Sequence, residues 1–314
     1  MSENIIKKAK QILLNSDVMN YIPIERLEQA FSKVKLAETE EKFFEAYGYG
    51  EYRGEKLEGY NRANETYLNP RYATPHTVIH EVLHDISSTF DKDGNRIQNG
   101  LMGTRGLGFD NQINEGATDY LASKLSGEKA RNYYQGHKLF EKLEPMLIKY
   151  TKNENILMQM YLTNDVKFME DFLNYFGNKE YTKEITNNEG KKELIKQTTF
   201  EKLYSDFLFM NDEKIDELLK PVNKNLNKFM KKQERKEKRN NFLNKIKTLF
   251  SKKDTTKLLQ ESNDIQQDVS KNTLNNDREE FVSELQKGIN PYEDIQIDEY
   301  ENQNYNYNEQ DIER

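Results

Sequence analysis

The sequence predicts an α+β fold that is mostly helical, with a small sheet and a flexible C-terminal tail. Three observations lead to this prediction. Apolar residues recur at helical spacing in residues 3–47 and again beyond residue 129. Residues 47–70 are instead rich in Gly, Asn and Tyr, which is typical of a short hairpin or sheet. After Pro221 the chain becomes strongly charged and then rich in Asn and Gln, a composition that does not support a packed core.

Composition restricts the class of protein. The chain has 314 residues, of which 35% are apolar and 32% charged, so it is polar for a globular protein. Its 16 Phe and 19 Tyr still supply large surfaces for a core. The formal net charge of -7 argues against bulk binding to nucleic acid. The absence of cysteine excludes disulfides, thiolate zinc sites and cysteine nucleophiles.

These features predict two parts, a compact domain in residues 1–220 and a basic then acidic, largely disordered extension in residues 221–314. The N-terminal residues lack the uninterrupted apolar stretch of a signal peptide, because Lys10, Gln11 and Asn15 interrupt it. No segment approaches the length of a membrane span. We therefore expect a cytoplasmic protein.

Helices and turns can be placed in order along the compact domain. Residues 3–47 predict two or three helices, and a stripe in the second contains Ile24, Leu27, Phe31 and Val34. The Gly, Asn and Tyr-rich residues 47–70 predict an antiparallel hairpin or sheet.

A helix then opens at Thr74-Pro75, since Thr is a good N-cap and Pro suits the first helical position; we expect it to end near Phe90. A Gly-rich loop follows to about residue 110. A second helix covers about residues 112–125, and more helices follow to about residue 219. Residues 182–195 predict a polar hairpin or loop.

The clearest chemical signal lies in the helix that opens at Thr74. Three of the four histidines in the chain, His76, His80 and His84, recur there at a spacing of four, which places them on one helical face. Glu81 between the last two completes the pattern HExxH. Two imidazoles one turn apart can bind one zinc ion at about 2.0–2.1 Å, and Glu81 can take a proton from water and pass it to a leaving amine. His76 is a fourth ligand, a substrate contact or simply a polar residue at the helix start.

A catalytic zinc usually takes three protein ligands, so the third must come from another element. The second helix contains Asn114-Glu-Gly-Ala-Thr-Asp119, in which Glu115 and Asp119 lie one turn apart on the same face. We predict that Glu115 is the third ligand. We predict that Asp119 accepts the second ring N–H of a zinc histidine, His80, and that Gly116 lets the two helices approach closely.

HExxH followed by Asn-Glu-x-x-Thr-Asp resembles the gluzincin metallopeptidases, which include the thermolysin-like enzymes. The wording Asn-Glu-Gly-x-Thr-x-Tyr-Leu also resembles uncharacterised bacterial zinc peptidases. The resemblance covers about residues 60–140, less than half of the chain, and the gap between His84 and Glu115 is longer here by roughly ten residues. It implies a zincin-like domain and zinc-dependent hydrolysis of a peptide or protein substrate.

Gluzincins generally place a Tyr or His where it steadies the oxyanion of the intermediate. Candidates are Tyr133, Tyr134 and His137 after the Glu115 helix, and Arg105 in the Gly-rich loop. We name Tyr134 and His137 as the predicted catalytic pair, although no pattern excludes an ordinary packing or surface role for them. Residues 60–68 are either the strand that pairs with an extended substrate or a plain structural hairpin.

Two other functions stay open at this point. One is a regulatory zinc protease that cleaves a single partner; the other is a non-catalytic metal-binding interaction protein. The basic residues 224–253, with apolar residues among them, suggest contact with an anionic membrane surface or with nucleic acid. A solvated charged helix paired with the acidic tail is the simpler interpretation and the one preferred from sequence.

Overall fold

The fold is α+β and mostly helical, as predicted. The computed structural model describes residues 2–47, 57–62, 65–92, 96–101, 110–129, 133–186 and 191–251. The α-helices in these ranges are α1 (Ser2–Leu14), α2 (Ile24–Ser32), α3 (Glu40–Tyr47), α4 (Pro75–Ile86), α5 (Asp110–Ser126), α6 (Tyr134–Thr151), α7 (Ile156–Thr163), α8 (Val166–Gly177), α9 (Thr199–Asp206) and α10 (Asp212–Ser251). Short 3-10 helices cover Asp17–Asn20 and Phe207–Phe209.

Small sheets lie between the helices. The strands are β1 (Val34–Leu36), β2 (Gly59–Arg62), β3 (Glu65–Leu68), β4 (Ser88–Phe90), β5 (Arg96–Asn99), β6 (Tyr181–Thr186) and β7 (Lys192–Gln197). In the first sheet β3 is central, parallel to β1 and antiparallel to β2. The pairs β4–β5 and β6–β7 are antiparallel. Among the described strands, β2 is therefore at the edge of its sheet.

The N-terminal helices confirm the prediction with one exception, at Val34. Helices α1, α2 and α3 occupy residues 2–47, but Val34 belongs to strand β1 and not to the apolar stripe of a helix. Helix α2 ends at Ser32, and Lys33 then accepts a hydrogen bond at its carbonyl from the backbone of Thr66. The parallel pairing with β3 therefore overrides the helical spacing of Val34.

Helix α4 begins where predicted and ends earlier. The Thr74 side chain accepts from Thr77 N while the Thr77 hydroxyl accepts from Thr74 N, so the N-terminal turn is capped in both directions. The predicted end near Phe90 is wrong, because Ser88–Phe90 forms β4 and pairs with β5. That hairpin also replaces part of the loop predicted after residue 90.

Helix α4 is the central element of the core. All its residues from His76 to Ile86 are buried, and it packs against α1, α2, α5 and β2. Helix α5 packs against α4 and also against α6. Gly116 and Gly136 make the α5–α6 crossing close, because a Cβ on Gly116 would lie 2.2 Å from the Gly136 Cα. Gly116 thus serves a close approach, but to α6.

The C-terminal elements include the predicted hairpin, which β6 and β7 form. Helix α10 continues through Pro221, where the change to an extension was predicted, and reaches Ser251. Contacts divide the chain into Met1–Arg235 and Lys236–Arg314. Residues 252–314, including the acidic part of the predicted tail, lie outside the described residues. Among the described helices, none has the length and apolar character needed to cross a membrane.

Candidate metal centre

Helices α4 and α5 bring three side chains predicted as ligands together. The Oε2 atom of Glu115 lies 3.1 Å from Nε2 of His80 and 3.2 Å from Nε2 of His84. The two Nε2 atoms are themselves 3.2 Å apart. Within the described residues, this is the group of His and carboxylate side chains whose donor atoms converge closely enough to hold a metal ion.

His84 is oriented by residues that the sequence did not single out. Its Nδ1 atom lies 3.4 Å from Oδ1 of Asn99, which also accepts a hydrogen bond of 3.0 Å from Ser87. The Tyr161 hydroxyl lies 3.5 Å from the same Nδ1 and 2.7 Å from the Thr118 hydroxyl. An Nδ1–H that donates to Asn99 leaves the Nε2 lone pair facing the centre of the triad.

Asp119 occupies a different place from the one predicted. Its carboxylate lies 3.4 Å from Nε2 of His76 and 3.6 Å from Nδ1 of His137. Among the contacts of the described residues, no hydrogen bond joins Asp119 to His80. Asp119 follows Glu115 by one turn, so it lies beside the histidine one turn earlier on α4, which is His76. The His76 ring also lies 3.2 Å from the Ser123 hydroxyl, so it is a buried polar contact of α5.

Glu81 lies against strand β2 and interacts electrostatically with all three members of the triad. A Cβ on Gly59 would stand 3.3 Å from Oε1 of Glu81 and 3.1 Å from Thr77 Cγ2, so the strand passes directly over this face of α4. The Thr77 hydroxyl donates a hydrogen bond of 2.6 Å to Glu58, the residue before Gly59. The start of β2 is therefore tied to the first turn of the helix that carries Glu81.

The electrostatics of the centre follow from burial and proximity. Burial raises the pKa of Glu81, although positive charge on His80 and His84 opposes the shift. Burial would also raise the pKa of Glu115, but the charge of His84 and hydrogen bonds from both histidines hold it well below its usual range. Burial would lower the pKa of His80, but hydrogen bonding to Glu115 and the charge of Glu81 raise it to about 9. A positive charge is therefore stabilised where the three side chains meet.

Tyr133 is a second tyrosine beside the triad, in addition to Tyr161. Its ring stacks on His80 with centroids 5.9 Å apart and planes 10° apart. Burial raises its pKa, and so do the charges of Glu115 and Glu81, so the hydroxyl keeps its proton. Tyr134 is more exposed than Tyr133, at 64% against 37%, and its ring contacts Lys138. Tyr133 takes a left-handed conformation with φ 53° before α6, which separates the directions of the two adjacent side chains.

His137, the other predicted catalytic residue, belongs to a neighbouring contact. Its Nε2 atom lies 3.2 Å from Glu141, its Nδ1 atom faces Asp119, and its ring meets the edge of Tyr120. Arg105 lies outside the described residues.

Arg96 on β5 is a further charged group near the centre that sequence reasoning missed. Its guanidinium donates to the Asn61 side chain of β2. Burial lowers its pKa, while the negative charges of Asp85 and Glu81 act in the opposite direction. Nothing in the spacing around residue 96 indicates this placement, because it depends on the β4–β5 hairpin.

Comparison of this chain with protein-family models, with curated proteins and with solved structures finds no match. The functional argument therefore depends on the geometry of the centre.

Proposed function

We propose that this chain is a zinc-dependent peptidase with a zincin-like catalytic domain. The observation that carries the proposal is the triangle of donor atoms formed by His80, His84 and Glu115, with sides of 3.1–3.2 Å. Four donors placed tetrahedrally at about 2.0–2.1 Å from zinc stand roughly 3.3–3.4 Å from one another. The triangle therefore needs only a slight expansion to take the ion.

The chemistry of the donors also supports zinc. Two neutral imidazoles and one carboxylate are a common ligand set of catalytic zinc, and they leave a coordination position for water or substrate. The orientation of His84 by Asn99 supports the same assignment, since a ligating histidine usually donates its other ring N–H to an oxygen acceptor. Bound zinc would supply Lewis acidity, which polarises the scissile carbonyl and acidifies water.

Glu81 is the proposed general base. Its raised pKa favours proton uptake, and its side chain lies against Gly59 within the electrostatic influence of the triad. Glu81 takes a proton from the attacking water as the water oxygen bonds to the carbonyl carbon. When the C–N bond breaks, Glu81 gives that proton to the departing amine nitrogen.

Tyr133 is the proposed donor to the developing oxyanion. It stacks on one metal ligand, His80, and retains its proton because burial and neighbouring carboxylates raise its pKa. A fixed neutral donor at the edge of a charged centre stabilises the intermediate more than the ground state. This replaces the role predicted for Tyr134.

Strand β2 is the proposed track for an extended substrate. It is an edge strand, and at Gly59 its backbone lies against the Glu81 side chain. A peptide that added to this edge would run past the base at the position of the scissile bond. The proposed zincin-like domain requires two features. A metal-binding helix lies beneath a small sheet, and a second helix supplies the third ligand.

The test compares zinc content and hydrolysis in the same set of proteins. We expect about one zinc per wild-type chain by elemental analysis, and a large loss of zinc in H80A, H84A and E115A. E81Q should keep zinc and lose hydrolysis in a proteome-wide cleavage assay. The matched control is E45Q, which changes an exposed glutamate on α3 and should alter neither quantity.

Two results would contradict the proposal in different ways. Unchanged zinc content in all three ligand variants would show that these residues do not hold the zinc. Zinc that is bound normally, with no cleavage in wild type beyond that of E81Q, would leave a non-catalytic metal protein. Cleavage of a single partner in place of many substrates would identify a regulatory protease with the same chemistry.

A further inference from the structure

The C-terminal part of helix α10 has an apolar face that takes no part in the candidate metal centre. The helix continues to Ser251, so residues 236–251 have helical backbone. At 3.6 residues per turn, each residue advances about 100° around the axis. The apolar residues of this segment then fall within one arc of about 120°. They are Phe242, Leu243, Ile246, Leu249 and Phe250, which we call the apolar stripe.

Lysines border the apolar stripe on both sides. Lys236 and Lys247 fall just beyond one edge of the arc, and Lys238 and Lys245 just beyond the other, each within about 40° of it. The opposite side of the helix carries Asn and Thr residues and Glu237. Arg239 is the exception, since it falls within the arc one turn before the stripe begins. The helix thus has an apolar face, two basic borders and a polar face.

Side-chain burial is described for two members of the apolar stripe. Phe242 and Leu243 are both partly exposed. Lys236, Lys238 and Lys245 are exposed. Partly exposed apolar side chains bordered by exposed lysines are the arrangement of a helix that lies flat in a lipid interface.

We propose that residues 236–251 bind the surface of an anionic lipid bilayer. The apolar stripe would enter the boundary between headgroups and acyl chains. The four lysines at its borders are then at the level of the lipid phosphates, because a long lysine stem can lie along apolar surface while its ammonium stays in the polar layer.

The charge pattern favours a bilayer over the other occupants of such a face. Nucleic acid would be bound by the lysines alone and would leave the apolar stripe without a role. A second copy of the helix, packed stripe to stripe, would bring lysine borders against lysine borders. A bilayer that contains anionic lipid provides an apolar layer for the stripe and negative headgroups for the lysines at its borders.

The experiment measures sedimentation of the full chain with vesicles of phosphatidylcholine, with or without phosphatidylserine. We expect binding only when phosphatidylserine is present. The double variant K245Q/K247Q should weaken binding roughly 30-fold, since each lysine near an anionic surface contributes about fivefold. The double variant F242Q/L243Q should weaken it at least about tenfold. K7Q/K8Q, which removes two exposed lysines of α1, is the control and should bind nearly as wild type.

Circular dichroism of each variant checks that helix content is kept. Lack of binding to phosphatidylserine vesicles, or binding that F242Q/L243Q leaves unchanged, would overturn the proposal. So would affinity for double-stranded DNA that falls in K245Q/K247Q and not in F242Q/L243Q, because the partner would then be nucleic acid. A dimer in sedimentation velocity that F242Q/L243Q dissociates would assign the stripe to a second copy.

Discussion

Gly116 of α5 and Gly136 of α6 meet backbone to backbone. A Cβ on Gly116 would lie 2.2 Å from the Cα of Gly136, and a Cβ on Gly136 would lie 2.4 Å from the Cα of Gly116. Gly116 directly follows the proposed ligand Glu115, and Gly136 lies three residues after Tyr133. This crossing therefore influences the distance between Glu115 and the tyrosine that stacks on His80.

Substitution of Gly116 by alanine should force the two helices apart. We expect G116A to lower the free energy of unfolding by about 3 kcal/mol, because the added methyl meets backbone that cannot rotate away. Urea denaturation followed by circular dichroism measures the change. G127A is the control: no atom lies within 4 Å of that Cβ, and its φ of 72° alone costs about 1 kcal/mol. Equal losses in the two variants would contradict the close-crossing explanation.

Asn99 should matter to metal affinity without touching the metal. N99A removes the oxygen that faces Nδ1 of His84, so the imidazole loses its preferred tautomer and orientation. We expect zinc affinity to fall about 10–100-fold, as measured by competition with a chelator. Q98A changes the neighbouring residue of β5 and should leave affinity near wild type. Equal affinities in wild type and N99A would show that His84 is oriented by other groups.

Tyr133 and Tyr134 provide an adjacent pair for a catalytic test. Y133F keeps the ring that stacks on His80 but removes the hydroxyl, so it should reduce kcat roughly 100-fold with little change in KM. Y134F removes a hydroxyl from an exposed ring and should behave as wild type. Steady-state kinetics on a cleaved peptide distinguishes them. A larger loss in Y134F than in Y133F would reverse the assignment.

Asp206, which is not part of the candidate metal centre, makes a pH-dependent contribution to stability. Burial would raise its pKa, but hydrogen bonds from Lys202, Ser205 and Lys183 lower it to about 2. The folded pKa lies below the usual value of about 4, so the contact stabilises the protein above that pH and is lost as pH falls from about 4 to 2.

D206N should therefore lower stability by about 1 kcal/mol at neutral pH, a modest value because the group is partly exposed. The difference from wild type should shrink on acidification, as measured by urea titrations at a series of pH values. D171N, at an exposed carboxylate that pairs with Lys167, is the control. A difference between D206N and wild type that stays constant with pH would contradict the assigned cause.

The sequence predicted the parts of the centre that depend on local spacing. Four-residue spacing places His80 and His84 on one helical face, and Thr74-Pro75 marks where that helix begins. Glu115 was predicted as their partner because a third ligand must come from another element and Glu115 lies one turn from Asp119 on a second helix; the structure brings all three together. Asp119 was predicted beside His80 but lies beside His76, because the relative shift of α4 and α5 along their axes is not encoded in either helix alone.

Other features depend on contacts between distant segments, which spacing does not report. Strand β1 has three residues and is defined by parallel pairing with β3, so Val34 was read as helical. Asn99 reaches His84 only because β4 and β5 form a hairpin after α4. The choice between Tyr133 and Tyr134 depends on one left-handed residue, and that residue is a tyrosine, which is not a residue type that favours positive φ.

The link from Glu58 to Thr77 has a mechanical consequence. Because the hydroxyl of Thr77 donates to Glu58 and Gly59 rests on Glu81, the leading end of β2 and the first two turns of α4 form one stiff unit. A polypeptide laid along that strand would be positioned relative to Glu81 by the resting architecture, with no hinge or lid needed to set the alignment. Any adjustment to different substrates would then fall to residues outside this unit.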